Sequence, residues 1–226
     1  MADGLTYRIR VQLARARPPV WRRIEVPSSL TLDQLHTVVH VAMGWPGTDG
    51  HEFCVGRSIR DPWRQAFWSA EVAERQAARD AEVLQQIREA GGTWAREGAE
   101  PPVLESEVRV DEVLTSPGDT MLYRYGIAWE HRLRLERTSP GEVTRPRCLA
   151  GRRAAPANYL LNAGNHTALV ATAYAVAAGE ADGDAERRLA QHFPGLSPAE
   201  VVQTVETFDV VQADTMLAGL ARAGRL

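Results

Sequence analysis

The N-terminal residues alternate between apolar and polar side chains, and this pattern constrains the fold more than any other feature of the chain. The run LTYRIRVQL has an apolar residue at every second position, with a threonine, two arginines and a glutamine between them. A break at ARARPP precedes a second run, VWRRIEV, which ends at Pro27. A period of two is typical of a strand that buries one face. The pattern therefore predicts a hairpin with one apolar and one arginine-rich face.

The segment after the hairpin predicts an amphipathic helix and then a short strand. Thr31 is the predicted N-cap of the helix, and Gly44 is predicted to end it. The predicted inward stripe has helical spacing and consists of Leu32, Leu35, His36, Val39 and Met43. The sequence HEFCVG then predicts a strand. Hairpin, helix and strand in this order indicate an α+β fold with a β-grasp-like opening.

Residues from about 57 to 107 are interpreted as a helical insertion within a single domain that spans 1–226. The stretch WRQAFWSAEVAERQAARDAEVLQQIREAGG is rich in alanine and charge, has helical spacing and ends at Gly-Gly. Strands are predicted again in SEVRVDEVL and in GDTMLYRYGIAWEHRLRLERTSPGE. The region from about 160 to 226 is predicted to be helical. Together these elements predict a mostly antiparallel sheet with the C-terminal helices packed on it.

The composition of the chain limits which partners and which cellular compartment we expect for it. The net charge of -3 gives no general attraction to nucleic acid or to a membrane surface. We find no apolar stretch long enough for a membrane span and no signal-peptide core in the first residues. Cys54 and Cys148 lie far apart and outside any CxxC pattern, which indicates reduced, buried thiols. We therefore expect a cytoplasmic protein with no membrane partner.

The stretch WEHRLRLE places a histidine on the apolar face of a predicted strand. Alternation aligns His131 with Trp129, Leu133 and Leu135. A histidine among aromatic residues suits proton transfer without a cofactor, and we find no cofactor-binding motif. The candidate catalytic residues are His131, Tyr125, Glu52 and His51. The candidate ligand-binding residues are Trp129, Trp45, Trp68, Trp63, Tyr123 and Glu130. The alternative for each residue is a packed core position with a structural hydrogen-bond partner.

A zinc site is the alternative interpretation of the histidines. His36 and His40 have the i, i+4 spacing that two ligands on one helix need, and His51, Glu52 and His131 could approach them. The chain has neither an HExxH motif nor a cysteine set. We therefore predict no metal, with His36 packed in the helix stripe and His40 facing solvent.

Several stretches together resemble the plasmid pRiA4b ORF-3-like family, which is also labelled transposon-passenger or TnpR-like. The resemblance rests on YRIRVQL, RPPVWRRIEVP, LTLDQLHTVVHVAMGW and HEF near the N-terminus. It continues in VDEVLTSPGDTMLYRY, WEHRLRLE and PRCLAGRRAAP. The resemblance implies an α+β fold and no settled activity.

The chain departs from that family at three polar positions. Family members usually carry an acidic Tyr-Asp-Phe-Gly-Asp turn, whereas Gly126, Ile127 and Ala128 stand here. The usual histidine pair before Glu-Phe is reduced to His51, with Thr48 and Asp49 ahead of it. A Cys-Pro-Pro-Glu loop is replaced by Ala155, Pro156, Ala157 and Asn158. The resemblance therefore implies a diverged member, either repurposed or non-catalytic.

Two hypotheses about function follow. The first is a small-molecule-binding protein, with a ligand between the sheet and the inserted helix and a cofactor-independent cyclisation, isomerisation or elimination. In this hypothesis Trp63, Trp68 and Trp94 lie above a neutral His131. The alternative is a non-catalytic mobile-element accessory module that contacts nucleic acid or protein through six arginines of the hairpin. The pI near 6.1 argues against nucleic acid as the partner, and a homodimer is left open.

Overall fold

The fold is the predicted α+β type, in a computed structural model that describes residues 4–47, 49–60, 64–92, 103–126, 129–156, 160 and 162–226. The described strands are β1 (Leu5–Leu13), β2 (Trp21–Pro27), β3 (His51–Val55), β4 (Gln65–Trp68), β5 (Val103–Leu104), β6 (Thr120–Tyr125), β7 (Trp129–Pro140) and β8 (Arg147–Arg152). The described helices are α1 (Leu32–Met43), α2 (Ala70–Glu89), α3 (Val110–Val113), α4 (Ala163–Ala177), α5 (Gly183–His192), α6 (Pro198–Glu206) and α7 (Val210–Arg222).

The eight strands form one sheet in the order β5-β4-β3-β6-β7-β1-β2-β8. Neighbouring strands are antiparallel except β4 and β5, which are parallel. The predicted hairpin is confirmed, because β1 and β2 pair with Ile9 opposite Ile24. The long strand β7 pairs with both β1 and β6 and therefore lies at the centre of the sheet.

Helix α1 forms as the sequence predicts. A capping box at its start joins Thr31 and Gln34, and Gly44 ends it in the left-handed conformation, with φ of 78°. Every residue of the predicted inward stripe is buried. The helix therefore packs its apolar side into the main core, where it meets buried residues of the sheet.

The two faces of the sheet differ in character. The apolar positions of β1, β2 and β7 belong to the main core with α1 and α7. The opposite face carries ion pairs between Arg8 and Glu25 and between Arg23 and Glu136. The C-terminal helices carry a second, smaller core around Ala173, Leu189 and Val201. Helix α6 begins after Ser197, which forms a capping box with Glu200.

Two predicted segments form different elements. The residues QAFW form strand β4 rather than helix, because Phe67 is buried opposite Phe53 of β3. The predicted strand SEVRVDEVL is instead a 3-10 turn at Glu105–Glu107 followed by α3. Its apolar residues Val110 and Leu114 are both buried, and their spacing of four suits a helical turn.

The two cysteines are buried and free, as predicted. Burial raises the pKa of both Cys54 and Cys148 to about 11, so the thiols stay protonated at neutral pH. Within the described residues, no helix is both long and apolar enough to cross a membrane.

Candidate functional site

Six of the predicted site residues come together on the face of the sheet that α1 covers. Strand pairing places Tyr125 between His51 and Trp129, and Tyr123 beside His131. Trp45, just after α1, completes the group: its ring stacks on Tyr125 with centroids 4.9 Å apart and meets His131 edge-on at 5.0 Å. These residues form a continuous cluster of rings inside the core.

The other predicted residues do not join this cluster. Glu52 alternates with His51 along β3 and pairs with Arg124 and Trp68, so its side chain lies on the opposite face of the sheet. Glu130 also lies on that face. The expected convergence of Glu52 with His51, Tyr125 and His131 is therefore wrong. Trp63 and Trp94 fall outside the described residues.

Glu52 is a buried carboxylate with structural partners. Its Oε2 accepts a hydrogen bond from Trp68 Nε1 at 3.0 Å and lies 3.5 Å from an Arg64 Nη2. Its Oε1 lies 3.0 Å from Arg124 Nη2 at an angle outside hydrogen-bond geometry. These contacts tie β3 to its neighbours.

His131 is fully buried and lacks a normal hydrogen bond. Neither ring nitrogen has a partner of suitable geometry among the described residues, although the backbones of Tyr123 and Trp129 are close enough to favour its charged form slightly. Burial dominates and lowers the pKa of His131 to about 3. The imidazole is therefore neutral at pH 7, as the absence of a nearby carboxylate led us to expect.

His51 has the carboxylate partner that His131 lacks. Both carboxylate oxygens of Glu105 lie 2.9 Å from His51 Nε2. The two side chains are 9% and 5% exposed. Glu105 lies in the 3-10 turn after β5, at the end of the inserted segment. The return of that segment to the sheet places the Glu105 side chain beside His51 at the start of β3. This partner could not be predicted from the sequence, because 54 residues separate His51 and Glu105 and no motif links them.

A second histidine lies directly against His51. The rings of His36 and His51 stack with centroids 3.4 Å apart and planes 1° apart. His36 Nδ1 and Tyr123 Oη form a hydrogen bond of 2.8 Å. Burial, with smaller effects from His51 and His40, lowers the pKa of His36 to about 3. His36 is therefore neutral at pH 7 and shares this hydrogen bond with the Tyr123 hydroxyl.

A cleft of about 460 Å³ opens next to His51, between α2 and the ends of β3 and β6. Its lining comprises Asp49, Gly50, His51, Val72, Arg75, Gln76, Arg79, Arg124 and Gly126. Three arginines and one aspartate make the lining basic. Arg75 pairs with the exposed Glu71 at 3.1 Å, whereas Arg79 makes no ion pair with a described residue. The sequence does contain a pattern that indicates the α2 side of this cleft, although it was not used in the prediction. Val72, Arg75 and Arg79 are spaced by three and four residues and therefore share one face of the helix.

The histidines do not form a metal centre. His36, His40 and His51 lie together, but His40 Nδ1 contacts Trp45 O at 3.1 Å and His51 Nε2 is held by Glu105. Across the described residues, no three His, Cys, Asp or Glu side chains have an arrangement that could hold an ion. His40 is only half-buried, and burial lowers its pKa.

The arginines of the hairpin are largely engaged within the protein. Arg8, Arg15 and Arg23 pair with Glu25, Glu130 and Glu136 at 2.8, 2.7 and 2.6 Å. The guanidinium of Arg10 lies over the Trp21 ring at 4.4 Å, and Arg22 is buried. These contacts neutralise much of the charge on which the accessory-module hypothesis relied.

A family model matches most of the chain. The model of the family described as "Plasmid pRiA4b ORF-3-like protein" matches residues 5–173. The chain belongs to this family. The match covers the whole sheet and most of α4, so the aromatic cluster and the cleft of this ORF-3-like protein lie within the family region.

Two individual proteins resemble this ORF-3-like chain. "Uncharacterized protein y4hQ" of Sinorhizobium fredii is 27% identical over 137 residues, which cover 61% of this chain and 56% of that protein. A crystal structure of a protein of unknown function from Methanosarcina mazei, MM3350, matches with a TM-score of 0.64 and 18% identity. That match covers 92% of this chain and 97% of the other, and it shows a shared fold.

Proposed function

We propose that this protein binds a small organic anion in the cleft beside His51 and transfers a proton to or from it without a cofactor. The observation that carries the proposal is the pairing of His51 with Glu105 at the edge of a basic cleft. A histidine that is held by a buried carboxylate and lines a cavity is a common arrangement for a general base.

The Glu105 contact favours one form of the His51 ring. A carboxylate near Nε2 favours the tautomer that carries its proton on Nε2, which leaves the lone pair on Nδ1. In the described part of the chain, Nδ1 makes no hydrogen bond. Nδ1 is then the atom that accepts a proton from the ligand and returns it, while Glu105 stabilises the protonated ring.

The arginines define the class of ligand. Arg79 and the exposed Arg75 favour a carboxylate or phosphate group, whereas Arg124 is paired with Glu52. The cleft volume of about 460 Å³ suits a small molecule. A nearby positive charge also stabilises the negative charge that develops when a proton leaves carbon. The reaction class is therefore an isomerisation, elimination or cyclisation that begins with proton removal. The fully buried His131 and Tyr125 support His51 from the core rather than contact the ligand.

Proton exchange with solvent tests this proposal without knowledge of the product. A panel of small carboxylates and phosphates is incubated with the protein in D2O, and deuterium at carbon is measured by mass spectrometry. We expect exchange in at least one compound, and a rate lower by about 100-fold or more in His51→Gln, the scale of lost general-base catalysis. Glu105→Gln should lower the rate as well.

A matched variant controls for changes that any histidine substitution causes. His192 is exposed at the end of α5, so His192→Gln should keep the wild-type exchange rate. Circular dichroism of each variant establishes that it is folded. Absence of exchange across the whole panel, or exchange that persists in folded His51→Gln, would overturn the proposal.

A further inference from the structure

Arg22 is a buried cation without a carboxylate partner. It is the second residue of β2, lies on the core face and is 1% exposed. Its Nε donates to Ala42 O at 2.8 Å, and its Nη1 donates to Trp21 O at 2.8 Å and to Arg152 O at 3.3 Å. Within the described residues it forms no ion pair, and its Nη2 makes no hydrogen bond.

The charge on Arg22 persists despite its burial. Burial lowers its pKa to about 10, which still leaves the guanidinium protonated at neutral pH. A buried charge is costly unless an opposite charge or enough hydrogen bonds compensate it. Three backbone carbonyls supply part of that compensation, and a bound anion would supply the rest.

Arg22 lines a cleft of about 600 Å³. The cleft lies between the end of α1, the loop after β8 and the start of α7, and its lining includes Trp45, Phe208 and Met216. Asp209 is the other charged residue of the lining, and its Oδ1 is occupied as the cap of α7, accepting from Gln212 N at 2.8 Å. This cleft shares no lining residue with the cleft beside His51.

The packing around Arg22 limits what can reach it. The Phe208 ring lies over the guanidinium carbon, 3.6 Å from it, and covers one side of the planar group. Gly151 makes this possible, since a Cβ at that position would lie 2.4 Å from the Phe208 ring. Only Nη2 is left without a bond, which suits one carboxylate oxygen better than the several oxygens of a phosphate.

An apolar chamber of about 340 Å³ adjoins this cleft and shares part of its wall at Gly44, Trp45 and Pro46. Its lining is largely hydrophobic and includes Leu169, Phe193 and Val205. The pair of cavities therefore offers one positive charge next to a large apolar surface. That combination fits an amphipathic molecule with a single negative end.

We propose that this second cleft binds a small apolar carboxylic acid, with its carboxylate at Arg22 Nη2 and its apolar part in the adjoining chamber. The site is independent of the cleft beside His51. The Arg22 charge sets the specificity for an acid, and the chamber supplies the affinity through burial of hydrocarbon.

Calorimetry with two matched probes, sodium octanoate and 1-octanol, tests the site. We expect saturable one-to-one binding of octanoate to the wild-type protein and binding of octanol weaker by about tenfold or more, because a charge-assisted hydrogen bond is lost. Equal binding of the two probes, or no binding of octanoate, would overturn the proposal on the unmodified protein.

Variants then assign the charge and the location. Arg22→Met should remove the preference for octanoate over octanol, whereas Arg10→Met, a solvent-side arginine of the same hairpin, should keep it. NMR contacts between octanoate and the Met216 methyl group should place the ligand in this cleft. Octanoate binding that persists unchanged in folded Arg22→Met, or that lacks Met216 contacts, would contradict the assignment. Arg79→Gln should leave octanoate binding intact, which separates this test from that of the His51 cleft.

Discussion

The imidazole rings of His36 and His51 stack in parallel with their centroids 3.4 Å apart. Two rings at this distance cannot both carry a proton without strong repulsion. His36 is the buried member of the pair, and burial is the largest reason that its pKa falls to about 3. His36 therefore stays neutral, and the carboxylate of Glu105 contacts His51, the other ring of the stack.

Stability should fall as the pH is lowered from 7 to 5. His36 and His131 have folded pKa values of about 3, so they stay neutral in the native state while the unfolded chain takes up protons below its ordinary histidine pKa of about 6.5. The free energy of unfolding should therefore fall by roughly 2 kcal/mol per histidine between pH 7 and pH 5. Urea unfolding at pH 7, 6 and 5 measures this loss. Stability that is flat across that range would contradict the assignment of both rings as neutral.

Replacing His131 by leucine should not weaken the protein at pH 7. Both ring nitrogens lack a normal hydrogen bond, and a buried unsatisfied polar group costs about 1–3 kcal/mol, which offsets the lost ring packing. At pH 5 the variant should gain roughly a further 2 kcal/mol over the wild type, because it no longer carries the low-pKa histidine. Denaturant unfolding at both pH values checks this. If the free energy of unfolding fell by more than about 2 kcal/mol at pH 7, the result would contradict this prediction and show that the ring makes stabilising hydrogen bonds.

Glu52 should matter for stability and not for chemistry. Glu52→Gln leaves Arg64 and Arg124 without their buried carboxylate, and we expect a cost of roughly 2–3 kcal/mol, somewhat below a fully buried pair because Arg124 is partly exposed. Glu130→Gln is the matched control: it breaks the more exposed pair with Arg15 and should cost about 1 kcal/mol or less. Thermal unfolding of the two variants makes the comparison. Equal losses of stability in the two variants would mean that the buried Glu52 carboxylate does not stabilise the fold more than an exposed ion pair does.

The elements that the sequence predicts well are those with a strong local pattern. The period of two in β1 and β2, and the capping and stripe of α1, are confirmed because side chains at those positions meet one continuous core. Strand β4 was missed because four residues at the start of an alanine-rich region carry too little alternation. Its strand form depends on Phe53, which the sequence does not place beside Phe67.

The site was harder to predict for the same physical reason. Alternation alone places Glu52 and His51 on opposite faces of β3, so their separation could have been deduced from the sequence. The partner that His51 does have, Glu105, depends on how the inserted segment returns to the sheet. No local sequence pattern predicts where the inserted segment rejoins the sheet.

The central claim is that an organic anion binds beside His51, and histidine NMR of the wild-type protein tests it most directly. Small carboxylates and phosphates are titrated alongside their neutral amide or alcohol counterparts while the ring signals of His51 and His192 are followed. We expect saturable shifts of the His51 signal with anions only, an unmoved His192 signal, and loss of the response in a variant carrying Arg75→Gln and Arg79→Gln, which removes two positive charges from the cleft. Neutral counterparts that shift His51 as strongly as the anions, or anions that leave His51 unmoved, would contradict the account.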